Sequence, residues 1–153
     1  MDTAMSRSAG EAKPMIVFES GNQKCGIPID EIQEIIELPH ITHVPMPQVE
    51  VEGLINLRGK IVTIIDLGRR CGQPSAEHTG ESRIIAVERQ GELMGLLVER
   101  VEDTVNAHPD DIIPTPGNVE GTAEAEIFRG VYKKEEHLIG ILDLDATLFG
   151  VAA

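Results

Sequence analysis

The sequence predicts an all-β fold: two similar five-stranded β-barrel subdomains packed together, with short helical turns and a short C-terminal helix. Three observations predict it. The chain repeats itself: Met15–Ile36 aligns without a gap on Ile84–Val105, with Gly26 on Gly95, Glu19 on Glu88 and Ile16 on Ile85, 69 positions apart. Pro45 and Pro47 keep that spacing with Pro114 and Pro116. Further on the spacing is 77, which sets Gly53 on Gly130 and Ile65-Asp66-Leu67 on Leu142-Asp143-Leu144. Second, short β-rich runs recur at regular intervals with Gly-centred turns, the pattern of a sandwich or barrel. Third, no stretch of 3.6-residue period is long enough for a helical bundle.

Residues 1–14 are Ser, Ala, Gly and charge, and read as a disordered tail. Met15–Glu19 is a strand, Gly21-Asn22 turns it, and Lys24–Ile29 returns to complete a hairpin. Asp30 is placed to cap a helical turn with Ile32, Ile35 and Ile36 on one face. Pro45 and Pro47 enforce extended chain. Val51–Leu57 and Ile61–Asp66 carry the clearest strand signals, joined by Arg58-Gly59-Lys60, where Gly59 is free to take positive φ. Alternation puts Leu54, Asn56 and Arg58 on one face and Ile55 and Leu57 on the other. Residues 72–82 (GQPSAEHTGES) read as a linker between a first repeat of about 15–71 and a second of about 83–150. The second repeat runs Arg83–Glu88, a Gln90-Gly91 turn and Leu93–Val98. A helical turn or bent strand follows through Val101–Val105, then a turn at Asp110–Ile113 and a loop at 117–126. A hairpin, Ile127–Lys133 with Leu138–Leu142, closes the sheet, and Asp143 or Asp145 caps a helix ending near Phe149-Gly150.

Charge excludes several functions. Of 153 residues, 13 are Lys or Arg and 26 are Asp or Glu, a formal net charge of −13. Such a surface repels phosphate backbones and anionic membranes. With no Trp and one Tyr there are few platforms for base stacking. Nucleic acid is therefore not an expected partner; a basic protein surface suits the charge. No run approaches the ~20 apolar residues of a membrane span, and the N-terminus lacks a signal-peptide core. Two cysteines make neither a metal signature nor a framework of bridges, which points to the cytoplasm with reduced thiols.

Candidate chemistry is sparse. Gly53 to Lys60 superficially resembles a phosphate loop, but five residues separate the glycines and Ile61 follows the lysine, so a hairpin explains it better. Asp66 and Asp143 stand at matching strand ends, as a two-lobed aspartic hydrolase would place a proton-sharing pair. The competing reading is that each caps a turn. His40 and His43 lack partners for a zinc site, and no cofactor is expected. Cys25, on a predicted strand, packs. Asn56 and Arg58 stand out at the end of an apolar strand. The guanidinium either pairs with Glu34 or Glu52, or anchors a partner, and the two are compatible.

The run from Val51 to Leu67, VEGLINLRGKIVTIIDL, resembles the signature of CheW-type chemotaxis coupling proteins. The opening hairpin, Ile32-Gln33-Glu34-Ile35 and Ile113-Pro114-Thr115-Pro116 agree in order, so the resemblance covers about residues 15–150. It implies a non-catalytic adaptor that binds the regulatory domain of a CheA-type histidine kinase and the cytoplasmic tip of chemoreceptors. The adaptor would be cytoplasmic, recruited to receptor arrays at the inner face of the membrane without inserting into it. Carried over by position, the receptor-binding residues are Ile32, Glu34, Gly53, Asn56, Arg58, Gly95 and Thr104, the last where the family often has an aliphatic residue. Gly53 and Gly95 would act by allowing close backbone approach. The chain departs from the family at Gly117-Asn118-Val119, where a large apolar side chain usually serves a second kinase interface.

Overall fold

The computed structural model describes residues 12–21, 23–45, 50–114 and 127–149. The strands are β1 (Lys13–Ser20), β2 (Gln23–Pro28), β3 (Glu34–Glu37), β4 (Val51–Leu57), β5 (Lys60–Asp66), β6 (Arg83–Arg89), β7 (Glu92–Val98), β8 (Arg100–Ala107), β9 (Ile112–Ile113), β10 (Phe128–Lys134) and β11 (His137–Leu142). Helix α1 is Leu67–Arg70 and α2 is Leu144–Phe149. A six-stranded sheet has the order β8-β1-β2-β11-β10-β9, and a five-stranded sheet the order β3-β6-β7-β5-β4. The all-β class and the duplicated plan are thus as the sequence predicts.

The sheets do not follow the two repeats. The β1–β2 hairpin, from the first repeat, inserts into the sheet formed by β8–β11. The β6–β7 hairpin, from the second, inserts among β3, β4 and β5. The repeats have exchanged hairpins. Each insertion makes one parallel pairing, β2 with β11 and β5 with β7; the other ladders are antiparallel.

Both faces of each sheet are apolar, and alternation sorts the side chains into three clusters. Phe18, Cys25, Ile27, Ile65, Ile85, Leu96 and Leu142 point between the sheets and make the shared core. Val62, Ile64, Ile84 and Leu97, one residue out of phase, fill the concave side of the five-stranded sheet. Val17, Val105, Ile139 and Ile141 do the same for the six-stranded sheet. The central strands β6 and β7 therefore carry near-continuous buried apolar runs, as expected when both faces are covered.

Several local expectations are corrected. The segment after Pro28 makes a single 3₁₀ turn, Ile29–Glu31, and its preceding residue, Pro28, offers no side-chain cap. Ile35 and Ile36 do not share a helical face but alternate along β3. Pairing with β6, Ile35 opposite Ile85, satisfies that backbone and overrides the local helical pattern. Of the two readings of Val101–Val105, the strand holds: the segment is part of β8, the counterpart of β3. β1 begins at Lys13, two residues inside the expected tail. The 72–82 linker is fastened down: Ala76 is buried and its N–H donates to the Asp66 carboxylate at 3.1 and 3.2 Å. Glu99 accepts from the N–H groups of Gly21 and Glu77, both at 2.9 Å. Asn22, Pro47, Pro116 and the 117–126 loop, Asn118 included, lie outside the described residues.

Candidate functional site

A concave apolar surface lies where the sheets meet. Ile16 comes from β1 of the six-stranded sheet; Ile29, Ile32, Gln33, Glu34 and Ile35 come from the 3₁₀ turn and β3 of the other. They enclose about 280 Å³. The floor is continuous with the shared core, against which Ile16 and Ile32 pack. Ile29 and Ile35 are 39% and 37% exposed, high for isoleucine on a regular element. The turn explains the exposure: its three residues include no buried one, so Ile29 is held outward. Thr104 pairs across the ladder with Ile16 and is exposed, so it extends the same face onto β8.

An ion pair forms the rim. Arg58 donates to the Glu34 carboxylate, which by hydrogen bond and then by charge raises the guanidinium pKa. The partner is Glu34 and not Glu52, because Arg69 occupies Glu52. Arg58 is a turn residue with φ 51°, followed by Gly59 at φ 87°, so its direction is set by the turn and not by strand alternation. The two positive φ values are those of the type I′ hairpin turn. Asn56 fixes the turn: its Oδ1 accepts from the Gly59 N–H at 2.9 Å. Opposite Asn56 on β5, Ile61 is 65% exposed.

β3 and β4 are the two edge strands of the five-stranded sheet, and Glu34 of β3 meets Arg58 of the β4–β5 turn. Thr42 and Leu54, which exchange hydrogen bonds of 2.8 and 2.9 Å, cover the β4 edge.

Gly53 and Gly95 do not line the groove. A Cβ on Gly53 would sit 2.3 Å from the Thr42 carbonyl oxygen and 2.7 Å from Ile41 Cγ2. One on Gly95 would sit 2.7 Å from both Ile64 Cδ1 and Ile84 Cγ2. The close approach these glycines allow is to the protein's own atoms. Of the seven residues singled out from sequence, the fold gathers Ile32, Glu34, Asn56 and Arg58 around one rim and Thr104 on the facing strand, and buries the two glycines behind them. Ile16, Ile29, Ile35 and Ile61, which line or flank the same face, were not singled out as site residues from the sequence. The repeat alignment could have found Ile35, because it sets β3 on β8 and so predicts a strand.

The two aspartates cap helices, as the competing reading has it. Asp66 is fully buried and capping α1, with Oδ1 accepting from Arg69 N–H at 3.2 Å. Asp143 caps α2, with Oδ1 accepting from Ala146 N–H at 3.0 Å. Each carboxylate accepts from the backbone N–H of its own helix, and Asp66 also from Arg69 Nε at 3.4 Å. His43 and His78 both face Glu52, at 3.6 Å. Among the described residues no three His, Cys, Asp or Glu side chains gather as a metal site.

Comparison with known proteins agrees with this geometry. The CheW-like domain family matches residues 14–149. The chemotaxis protein CheW of Rhizobium meliloti (strain 1021) is 32% identical over 146 residues, covering 95% of this chain and 94% of that protein. The chemotaxis protein CheW of Bacillus subtilis (strain 168) is 29% identical over 144 residues, covering 94% and 92%. The crystal structure of the scaffolding protein TtCheW from Thermoanaerobacter tengcongensis superposes with a TM-score of 0.81 at 31% identity, covering 90% of this chain and 93% of that one. A signature within one hairpin, a duplicated two-sheet plan and a match over nearly the whole length converge: the chain belongs to the CheW-like family.

Proposed function

We propose that this protein is a non-catalytic adaptor that couples chemoreceptors to a CheA-type histidine kinase in chemotaxis-type signalling. Membership of the CheW-like family supports the adaptor role. The observation that carries the receptor side is the open apolar groove between the sheets, with the Glu34–Arg58 pair on its rim. An amphipathic receptor helix presents apolar anchors at helical spacing and a polar flank, and such a helix suits this groove. Ile16, Ile29, Ile32 and Ile35 receive the apolar anchors. Glu34, Asn56, Arg58 and Thr104 set orientation, and Gly53 and Gly95 hold the supporting strands in place. The kinase regulatory domain docks elsewhere, at a sheet end. Simultaneous engagement of two modest sites raises effective concentration and strengthens the ternary assembly.

The experiment is co-sedimentation with receptor-containing membranes, with and without the kinase, while kinase autophosphorylation is followed. Recruitment together with receptor-dependent control of the kinase is the expected result. A folded protein that binds neither partner would end this reading.

A further inference from the structure

We propose that the six-stranded sheet carries a small-molecule site, a cleft that takes a free α-amino acid with a branched aliphatic side chain. The cleft lies between β8 and the β10–β11 hairpin and encloses about 410 Å³, within the range of ligand sites. Val17 of β1, Val105 of β8 and Ile139 of β11 make its floor, and all three belong to the apolar cluster on that side of the sheet. Charged side chains of both signs make its walls: Lys24, Arg100 and Lys134 with Glu102, Asp103 and Glu135.

The duplication shows why the cleft is open. In the five-stranded sheet, Leu57 and Leu93 pack against the corresponding apolar cluster, and Arg58 pairs with Glu34. The repeat spacings of 69 and 77 set Leu93 on Lys24, Leu57 on Lys134, Glu34 on Asp103 and Arg58 on Glu135. Where one sheet has two packed leucines, the other has two lysines, whose charge must stay with water or a counter-ion. Where one has an ion pair, the other has two acids, which repel. The apolar floor is common to both, with Ile36 and Val62 at the positions of Val105 and Ile139.

The charges that remain define the ligand. Lys24 bonds Glu102 at 2.6 Å; Arg100 bonds Glu102 at 3.1 Å and also Glu19. That network is neutral as a whole and serves as a wall. Asp103, Glu135 and Lys134 form no ion pair among the described residues, so two acids and one cation face the cleft. A simple anion meets the acids, and a simple cation leaves Lys134 unmatched beside it. An uncharged apolar molecule desolvates all three without compensation. An α-amino acid answers each part. Its ammonium goes to Asp103 and Glu135, its carboxylate to Lys134, and its side chain to the valines and isoleucine of the floor. Lys134 and Glu135 are neighbours in sequence, which suits two ligand charges borne on either side of one carbon. A ligand of this size at an open site should bind with a dissociation constant on the order of 1 mM.

The test is titration of the isotope-labelled full-length protein with L-leucine, followed by amide NMR. Expected are saturable shifts at Val105, Lys134 and Ile139, with none at Ile29 or Ile35 in the groove. Glycine lacks the side chain, isocaproate the ammonium and isoamylamine the carboxylate; each should bind at least about ten-fold more weakly. Lys134→Leu, which copies the other sheet, should fill the cleft and abolish the shifts without lowering the thermal midpoint. If that variant folds poorly, the double variant Asp103→Asn, Glu135→Gln decides, and should hold L-leucine no better than wild type holds isocaproate. The proposal is overturned if ~10 mM L-leucine gives no saturable shift at the cleft. It is equally overturned if the shifts fall in the groove, or if the three truncated ligands bind as well as L-leucine.

Discussion

Apart from the added β9, the five-stranded sheet and its six-stranded counterpart share strand order, pairing sense and one irregularity. β4 breaks register with β5 at Gly53, and β10 breaks register with β11 at Gly130. A Cβ on Gly53 would strike Ile41 and Thr42, and one on Gly130 would strike Ile112 and Ile113. Gly26 accommodates Met15 as Gly95 accommodates Ile84. The sheets part company at the turn between their last two strands. Arg58 at φ 51° corresponds to Glu135 at φ 56°, and Glu34 corresponds to Asp103. One sheet closes its end with an ion pair. The other sets two exposed acids beside an open cleft of about 410 Å³, shared with Lys24, Arg100 and Lys134. Duplication has kept what the backbone needs and varied the exposed side chains at the turn.

The largest effect should break the shared part of this comparison. Gly53→Asp forces a charged side chain into the Thr42 carbonyl and should cost about 3 kcal/mol or more. Gly130→Asp should cost less, because its nearest backbone atom is at 2.9 Å and its neighbour β9 is a two-residue edge. Equal midpoints in chemical denaturation for wild type and Gly53→Asp would refute the close-approach argument. Next, the two capping aspartates should be unequal. Asp66→Ala removes a cap and also the acceptor for the buried Ala76 N–H, for about 2–3 kcal/mol; Asp143→Ala loses chiefly a cap, about 1 kcal/mol.

The varied part is probed by Arg58→Ala. It should weaken receptor binding on the order of ten-fold while leaving thermal unfolding unchanged, since the side chain is largely exposed. Glu135→Ala, its counterpart, should leave receptor binding unaltered; matched losses in titrations of the two variants would erase the distinction between the sheets. The smallest effect is a pH dependence carried by Glu102 on the six-stranded sheet. Burial pushes the Glu102 pKa up, but hydrogen bonds from Lys24 and Arg100 outweigh it and hold the carboxyl below its ordinary value. Its stabilising contribution is therefore complete above the ordinary carboxylate pKa and fades as pH falls through the depressed one. The corresponding residue, Gln33, does not titrate. Glu102→Gln should flatten the acid limb of stability against pH, while Gln33→Ala should not.

Much of this was legible in residues. The repeat spacing set Gly53 on Gly130 and Asp66 on Asp143, and both equivalences hold in detail. Arg58 was visible as an ion-pair candidate with Glu34 or Glu52, and the choice turned on Arg69, which only the fold brings near. What escaped was set by pairing distant in sequence. Nothing local to Cys25 tells that Gly140 lies beside it, or that Thr63 runs parallel to Met94. β3 was misread for the same reason: its strand character comes from β6 and not from its own four residues.

The exchange of hairpins also bears on how the chain is made. β2 finds its parallel neighbour only in β11, so the six-stranded sheet is incomplete until the last strand has left the ribosome. Until β8 is made, the first hairpin waits with both edges unpaired, and the β2 edge stays open until β11 follows; such an edge is the kind of template that recruits wrong partners. Long sequence separation also slows closure after release. Stretches of chain that emerge first are thus among the last to find their place.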